Sequence, residues 1–113
     1  MKIAIPIKKD NGMDSIVADH FGRAVDFALY DSDTKQLKVI HVDEHKEKQC
    51  LPVKKLDEHK PDAMYVFGMG WRAMNLLEQR GIKAKTGNYQ TVKQVVEHLS
   101  ELKDLQESCM EGR

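Results

Sequence analysis

Apolar and polar positions along this chain change their spacing several times, and each spacing predicts an element. Residues 2–7, KIAIPI, are nearly unbroken apolar and predict a buried first strand. KKDNGMDS (8–15) is polar, contains Asn11-Gly12 and predicts a loop. In VDFALYD (25–31), Val25, Phe27 and Leu29 alternate with Asp26, Ala28 and Tyr30, the period of a strand. DSDTKQ (31–36) is turn chemistry and LKVIHV (37–42) is a further strand, so the two strands predict an antiparallel hairpin.

Past the hairpin the pattern turns helical. DEHKEKQ (43–49) is charged and reads as a solvated run. CLPVKKLDEHKP predicts a short helix, with Pro52 in its first turn, Leu51, Val53 and Leu56 as its apolar face, and Pro61 as its end. DAMYVFG (62–68) is a buried strand. GWRAMNLLEQRG predicts a helix with Trp71, Met74 and Leu77 on one face and Gly81 as the stop. IKAKTG (82–87) is a short strand. TVKQVVEHLSELKDL gives the clearest helix, with Val92, Val95, Val96, Leu99 and Leu102 on one face and Thr91 and Gln94 as a capping box.

Strand, hairpin, helix, strand, helix, strand, helix is an α/β order, with parallel pairing expected in the second half. The reading is a single domain, residues 1–103, with one mixed sheet of about five strands and about three helices, and a tail, 104–113, free to fray.

Composition narrows the function. The 113 residues suit one small domain, and 41% hydrophobic residues supply a core. Eighteen Lys and Arg balance eighteen Asp and Glu, which argues against a dedicated nucleic-acid binder. No apolar run approaches the roughly 20 residues of a membrane span, and IAIPI is too short for a signal-peptide core. The expectation is a cytoplasmic protein. Cys50 and Cys109 make no disulfide framework and read as free thiols or ligands.

In open α/β sheets, ligands collect where strands end and helices begin. Three pieces fall at such junctions. FGMGW (67–71) joins a strand to a helix; Gly68 and Gly70 permit close backbone approach, and free amides at a helix start favour an anion. Met69 lies inside that turn. The same glycines also serve a plain tight turn, and neither a Rossmann nor a Walker pattern is present. Cys50 precedes the helix near Pro52, where a thiol gains thiolate character suited to a soft metal or an iron–sulfur species. Its plainer reading is a small half-buried residue. In HFGR, His20 offers an imidazole, Phe21 packs, Gly22 suits an unusual backbone, and Arg23 faces an anion or pairs with an acid. His41 and His45 read as solvent-exposed, and His59 and His98 as lying on polar helix faces.

Taken in order, these pieces resemble the dinitrogenase iron–molybdenum cofactor biosynthesis family, the NifX-like domain also found at the end of NifB proteins. The resemblance runs over nearly the whole chain: KIAIPI, HFGRAVDFALYD, Cys50, DAMYVFGMGWRAMNLLEQRGIKAKTG and TVKQVVEHL. It implies a ribonuclease H-like fold and the binding or carriage of an iron–sulfur-type or iron–molybdenum cofactor precursor. It also implies metallocluster donor and acceptor proteins as partners. On the matching positions, His20 and Cys50 become the candidate metal ligands. Phe21, Gly22, Arg23, Gly68, Met69, Gly70 and Trp71 become the candidate cofactor-binding residues. Trp71 departs from the smaller or aliphatic residue more usual there. Two other classes compete. A regulatory or interaction domain would bind a small anion or a partner protein without metal. A hydrolase would need converging carboxylates, for which Asp10, Asp19, Asp26 and Asp31 are available, none of them inside the first strand. The expectation is a carrier and not an enzyme.

Overall fold

The computed structural model describes residues 1–19, 26–41, 59–67 and 71–105, the last of these by backbone alone at 71–73. Strand β1 is Lys2–Ile7, β2 is Asp26–Asp31 and β3 is Gln36–His41. Strand β4 is Ala63–Tyr65, helix α1 is Trp71–Gln79 and β5 is Lys83–Thr86. Helix α2 is Val92–Glu97 and β6 is Lys103–Asp104.

The strands form one mixed sheet in the order β3-β2-β1-β4-β5-β6. β2 runs antiparallel to β1 and β3, as the hairpin pattern predicts. β1, β4 and β5 run parallel, and β6 is antiparallel to β5. Central strands are covered on both faces. Ala4, Phe27, Leu29, Met64, Val66, Leu77, Ile82 and Leu105 form one core layer, against which Met74 of α1 packs. Ile3, Ile5, Ile7, Val17, Ala28, Tyr30, Tyr65, Val92 and Val95 form the other layer, on the α2 face. The alternation read in residues 25–31 therefore separates two cores rather than a core from water.

Both helix signals act as local chemistry requires. Gly81 has φ 74°, the left-handed conformation. Ile82 N–H bonds Leu77 C=O at 2.9 Å and Gly81 N–H bonds Glu78 C=O at 3.1 Å, a Schellman close to α1. At α2, Thr91 Oγ1 accepts from Gln94 N–H at 3.2 Å, and Gln94 Oε1 accepts from Gln90 N–H at 2.8 Å.

The last helix is shorter than its pattern predicts, and the sheet has a sixth strand in place of about five. α2 stops at Glu97; a 3₁₀ turn follows at Leu99–Glu101, then β6. Packing decides this. Leu102 packs against the α2-side core, whereas Leu105 is buried in the layer across the sheet. No single helix reaches both faces, so the chain turns around the sheet edge. There Lys85 Nζ sits 2.6 Å from Asp104 Oδ1, and that hydrogen bond holds the Asp104 carboxyl below the usual aspartate range. Two α-helices lie among the described residues; the helix expected near Pro52 lies outside them.

Pro6 shapes the centre of the sheet. Lys2 and Pro6 direct their carbonyls to the β4 side of β1, where Lys2 C=O accepts from Asp62 N–H. A proline there has no N–H to give. Pairing of β1 with β4 covers Ile3↔Ala63 and Ala4↔Met64 and goes no further. Beyond it the returning chain takes over that flank. Ala18 N–H bonds Pro6 C=O at 2.8 Å and Lys8 N–H bonds Ile16 C=O at 2.9 Å. Val17 N–H in turn bonds Gln90 C=O at 2.9 Å. Two strands that are neighbours at one end are thus split at the other.

Candidate functional site

The split end is the carboxyl edge of the parallel strands. Ile7 closes β1 there, and its partner Asp26 opens β2. Asp26 in turn faces His41, the last residue of β3. Phe67 follows the end of β4, and Thr86 closes β5 opposite Lys103 of β6.

His20, Phe21, Gly22, Arg23, Cys50, Gly68, Met69 and Gly70 lie outside the described residues, as does the side chain of Trp71. What the structure places is where their segments join the sheet. Residues 20–25 end at Asp26, and 68–70 connect Phe67 to the first residue of α1. Residues 42–58 leave from His41. All three junctions lie on this one edge. Ala18 is bonded on the β4 flank of β1 and Asp26 on the other flank, so the two ends of the HFGR segment straddle β1. The Cys50 segment leaves this edge but returns to described chain at His59, ahead of β4, toward the opposite edge.

Two features of the edge were not among the sequence candidates. The first is a side-chain hydrogen bond: His41 Nδ1 lies 2.7 Å from Asp26 Oδ1. The Asp26 side chain is 20% exposed and that of His41 59%. His41 is in a strand and open to solvent, as the sequence reading had it, but it has a carboxylate partner. The hairpin register was the available signal, because a turn at 32–35 sets Asp26 opposite His41.

The second is an open cleft of about 700 Å³ between Phe67, the 86–89 turn, Glu101 and Lys103. Tyr65, fully buried, anchors it: its hydroxyl donates to Tyr89 C=O at 2.9 Å and accepts from Tyr89 N–H at 3.0 Å. Burial pushes the Tyr65 phenol above the usual tyrosine range, against the pull of the backbone bond. The Tyr89 ring stacks on His98, centroids 4.6 Å apart, and its hydroxyl reaches Glu101 at 3.5 Å. Desolvation, then the Glu101 carboxylate, pushes the Tyr89 phenol up as well. A Cβ at Gly87 would meet the Tyr89 ring at 2.9 Å, so a side chain there would displace that ring. His98 caps α2 beside this cleft, and His59 lies in a turn rather than on a helix face.

The four aspartates do not converge. Asp10 accepts from Gly12 N–H, Asp19 lies 3.7 Å from Lys8 Nζ, and Asp26 and Asp31 stand at opposite ends of β2. Among the described residues no three of His, Cys, Asp and Glu meet as a metal-holding group. No helix among them is long and apolar enough to cross a membrane.

Residues 1–102 match the family model described as dinitrogenase iron–molybdenum cofactor. The chain belongs to that family. Solved structures share its architecture. PH0822 is 28% identical, covers 92% of this chain and 96% of its own, and superposes with a TM-score of 0.79. A Thermotoga protein described provisionally as a NifB protein of the DUF35 family is 23% identical, covers 91% of each chain, and gives a TM-score of 0.76. The apo form of the orange protein of Desulfovibrio gigas is 21% identical over 91% of each chain, with a TM-score of 0.81. The last two likenesses are likenesses of fold. No curated protein matches the chain. Membership links this dinitrogenase cofactor-family domain to iron–molybdenum cofactor biosynthesis.

Proposed function

We propose that this protein binds and carries an iron–sulfur-type or iron–molybdenum cofactor precursor, as a non-enzymatic accessory protein of metallocluster assembly. The observation that carries the reading is the shared edge. In a chain of this family, the segments bearing HFGR and the glycine turn join the sheet at the carboxyl edge of its parallel strands, and the segment bearing Cys50 leaves from that edge. That edge is split at Pro6, the kind of switch point where open α/β sheets take ligands. The strand order, with β2 antiparallel to its neighbours, also supports a ribonuclease H-like assignment.

In this reading the cluster is cargo. His20 gives an imidazole nitrogen and Cys50 a thiolate, both suited to iron–sulfur species. Phe21, Met69 and Trp71 shelter the cargo, Arg23 offsets its negative charge, and Gly22, Gly68 and Gly70 let the backbone approach. A carrier must release what it holds, and two side-chain ligands release more readily than a closed set of four. Donor and acceptor metalloproteins are then its partners, met in the cytoplasm.

The test is anaerobic purification followed by offering apo protein a reconstituted iron–sulfur cluster, read by visible absorption and by iron, molybdenum and sulfide analysis. Wild type should take up cluster, and His20→Ala and Cys50→Ala should each weaken uptake by about tenfold or more. Uptake indifferent to both changes would remove the ligand assignment. No uptake by wild type would remove the carrier reading and leave an anion- or partner-binding domain in its place.

A further inference from the structure

The cleft beside Tyr89 has the build of a small-molecule site. It holds about 700 Å³, within the range of roughly 300–1,000 Å³ that such sites span. Phe67 and Tyr89, both half-buried, give it two aromatic walls. Those walls are fixed before any ligand arrives. Phe67 sits edge-on to the buried Tyr65 ring, centroids 5.8 Å apart. The Tyr65 hydroxyl holds both backbone polar groups of Tyr89, and the Tyr89 ring stacks on His98, whose Nδ1 donates to Gln94 C=O at 2.8 Å. A preformed wall loses little entropy when something binds to it.

The polar groups of the cleft supply the second argument. Thr86 and Lys103 are paired across β5 and β6, so their side chains stand next to each other on one face, and both line the cleft. Among the described residues, neither the Thr86 hydroxyl nor the Lys103 ammonium has a partner. An ammonium beside a hydroxyl is a seat for a carboxylate. Glu101, also on the lining, accepts from the Tyr89 hydroxyl at a long 3.5 Å and keeps acceptor capacity for a cation. One charge of each sign narrows the class of ligand. A plain anion meets repulsion from Glu101 and a plain cation meets repulsion from Lys103, whereas a zwitterion satisfies both. A turn that merely packs on the core explains Tyr89 and His98 but gives no role to Thr86, Lys103 and Glu101 together.

We propose that this cleft binds a small zwitterion with a planar ring, the chemistry of an aromatic α-amino acid. The ring packs against Phe67 and Tyr89, the carboxylate is held by Lys103 Nζ and Thr86 Oγ1, and the ammonium by Glu101. The site stands apart from the carrier reading, since none of these residues is assigned to the cargo.

The test titrates L-phenylalanine into full-length, isotopically labelled protein and follows the amide shifts. Saturable shifts should appear at 86–89 and 101–103, with a Kd on the order of 1 mM. Phenylacetate, which lacks the ammonium, and phenethylamine, which lacks the carboxylate, should each bind about tenfold more weakly. Glu101→Gln should lose the preference for L-phenylalanine over phenylacetate, and Lys103→Met the preference over phenethylamine. Both positions are exposed, so the amide spectrum should otherwise stay as in wild type. Absence of saturable shifts at these amides up to about 20 mM L-phenylalanine would overturn the proposal. So would binding that ignores both substitutions, or that treats the three probes alike.

Discussion

At the scale of single residues, the described edge owes most of its definition to Tyr65. One buried hydroxyl satisfies both the N–H and the C=O of Tyr89, 24 residues away, and so pins the 86–89 turn to the core. Tyr65→Phe keeps the ring and orphans two backbone groups. It should cost about 1–3 kcal/mol in urea unfolding and speed amide exchange at Tyr89. An unchanged midpoint would show that solvent replaces the phenol freely. Nothing in the sequence announces this contact, since it depends on where a loop closes. The Asp26–His41 pair is different: once the hairpin is accepted, counting outward from its turn places the two opposite each other.

At the scale of elements, ends marked by a cap or a left-handed glycine are legible and unmarked ends are not. Thr91 and Gln94 cap α2 and Gly81 ends α1, because caps are short-range chemistry that four or five residues specify. α2 ends sooner than its pattern predicts: Leu99 and Leu102 continue the apolar spacing and pack on the same core layer, but from a 3₁₀ turn and the residue that precedes β6. The extent of β4 and β5 was similarly loose, since short buried runs carry no period of their own. Thr91→Ala removes the acceptor for Gln94 N–H. It should lower stability by about 1 kcal/mol and the thermal midpoint by about 4 °C, read by calorimetry. A midpoint that stays put would mean the Ser15 carbonyl, which receives Val92 N–H at 3.0 Å, suffices to start the helix.

At the scale of the molecule, the mixed sheet and the antiparallel first half follow from element order, as the pattern predicts. The split between β1 and β4 does not, because a proline in an apolar run reads as part of the strand until the flank it faces is known. That split places the candidate site, so the sequence motifs alone named residues without naming a common location. The balanced charge acts on the whole surface too. With net charge zero at pH 7 and an isoelectric point near 7.0, the protein should be least soluble close to neutrality. Light scattering across pH should show a maximum there that falls as acid or alkali restores net charge. A flat profile would mean that charge balance does not govern self-association.

The start of α1 also has a practical side. The chain contains one tryptophan, and it is Trp71, the first residue of that helix and the neighbour of Gly70 in the turn. Indole emission from this protein therefore comes from a single residue, the one that opens α1. A titration with cargo thus has one intrinsic fluorophore to follow, carried by the helix that succeeds the glycine turn in sequence, and needs no dye.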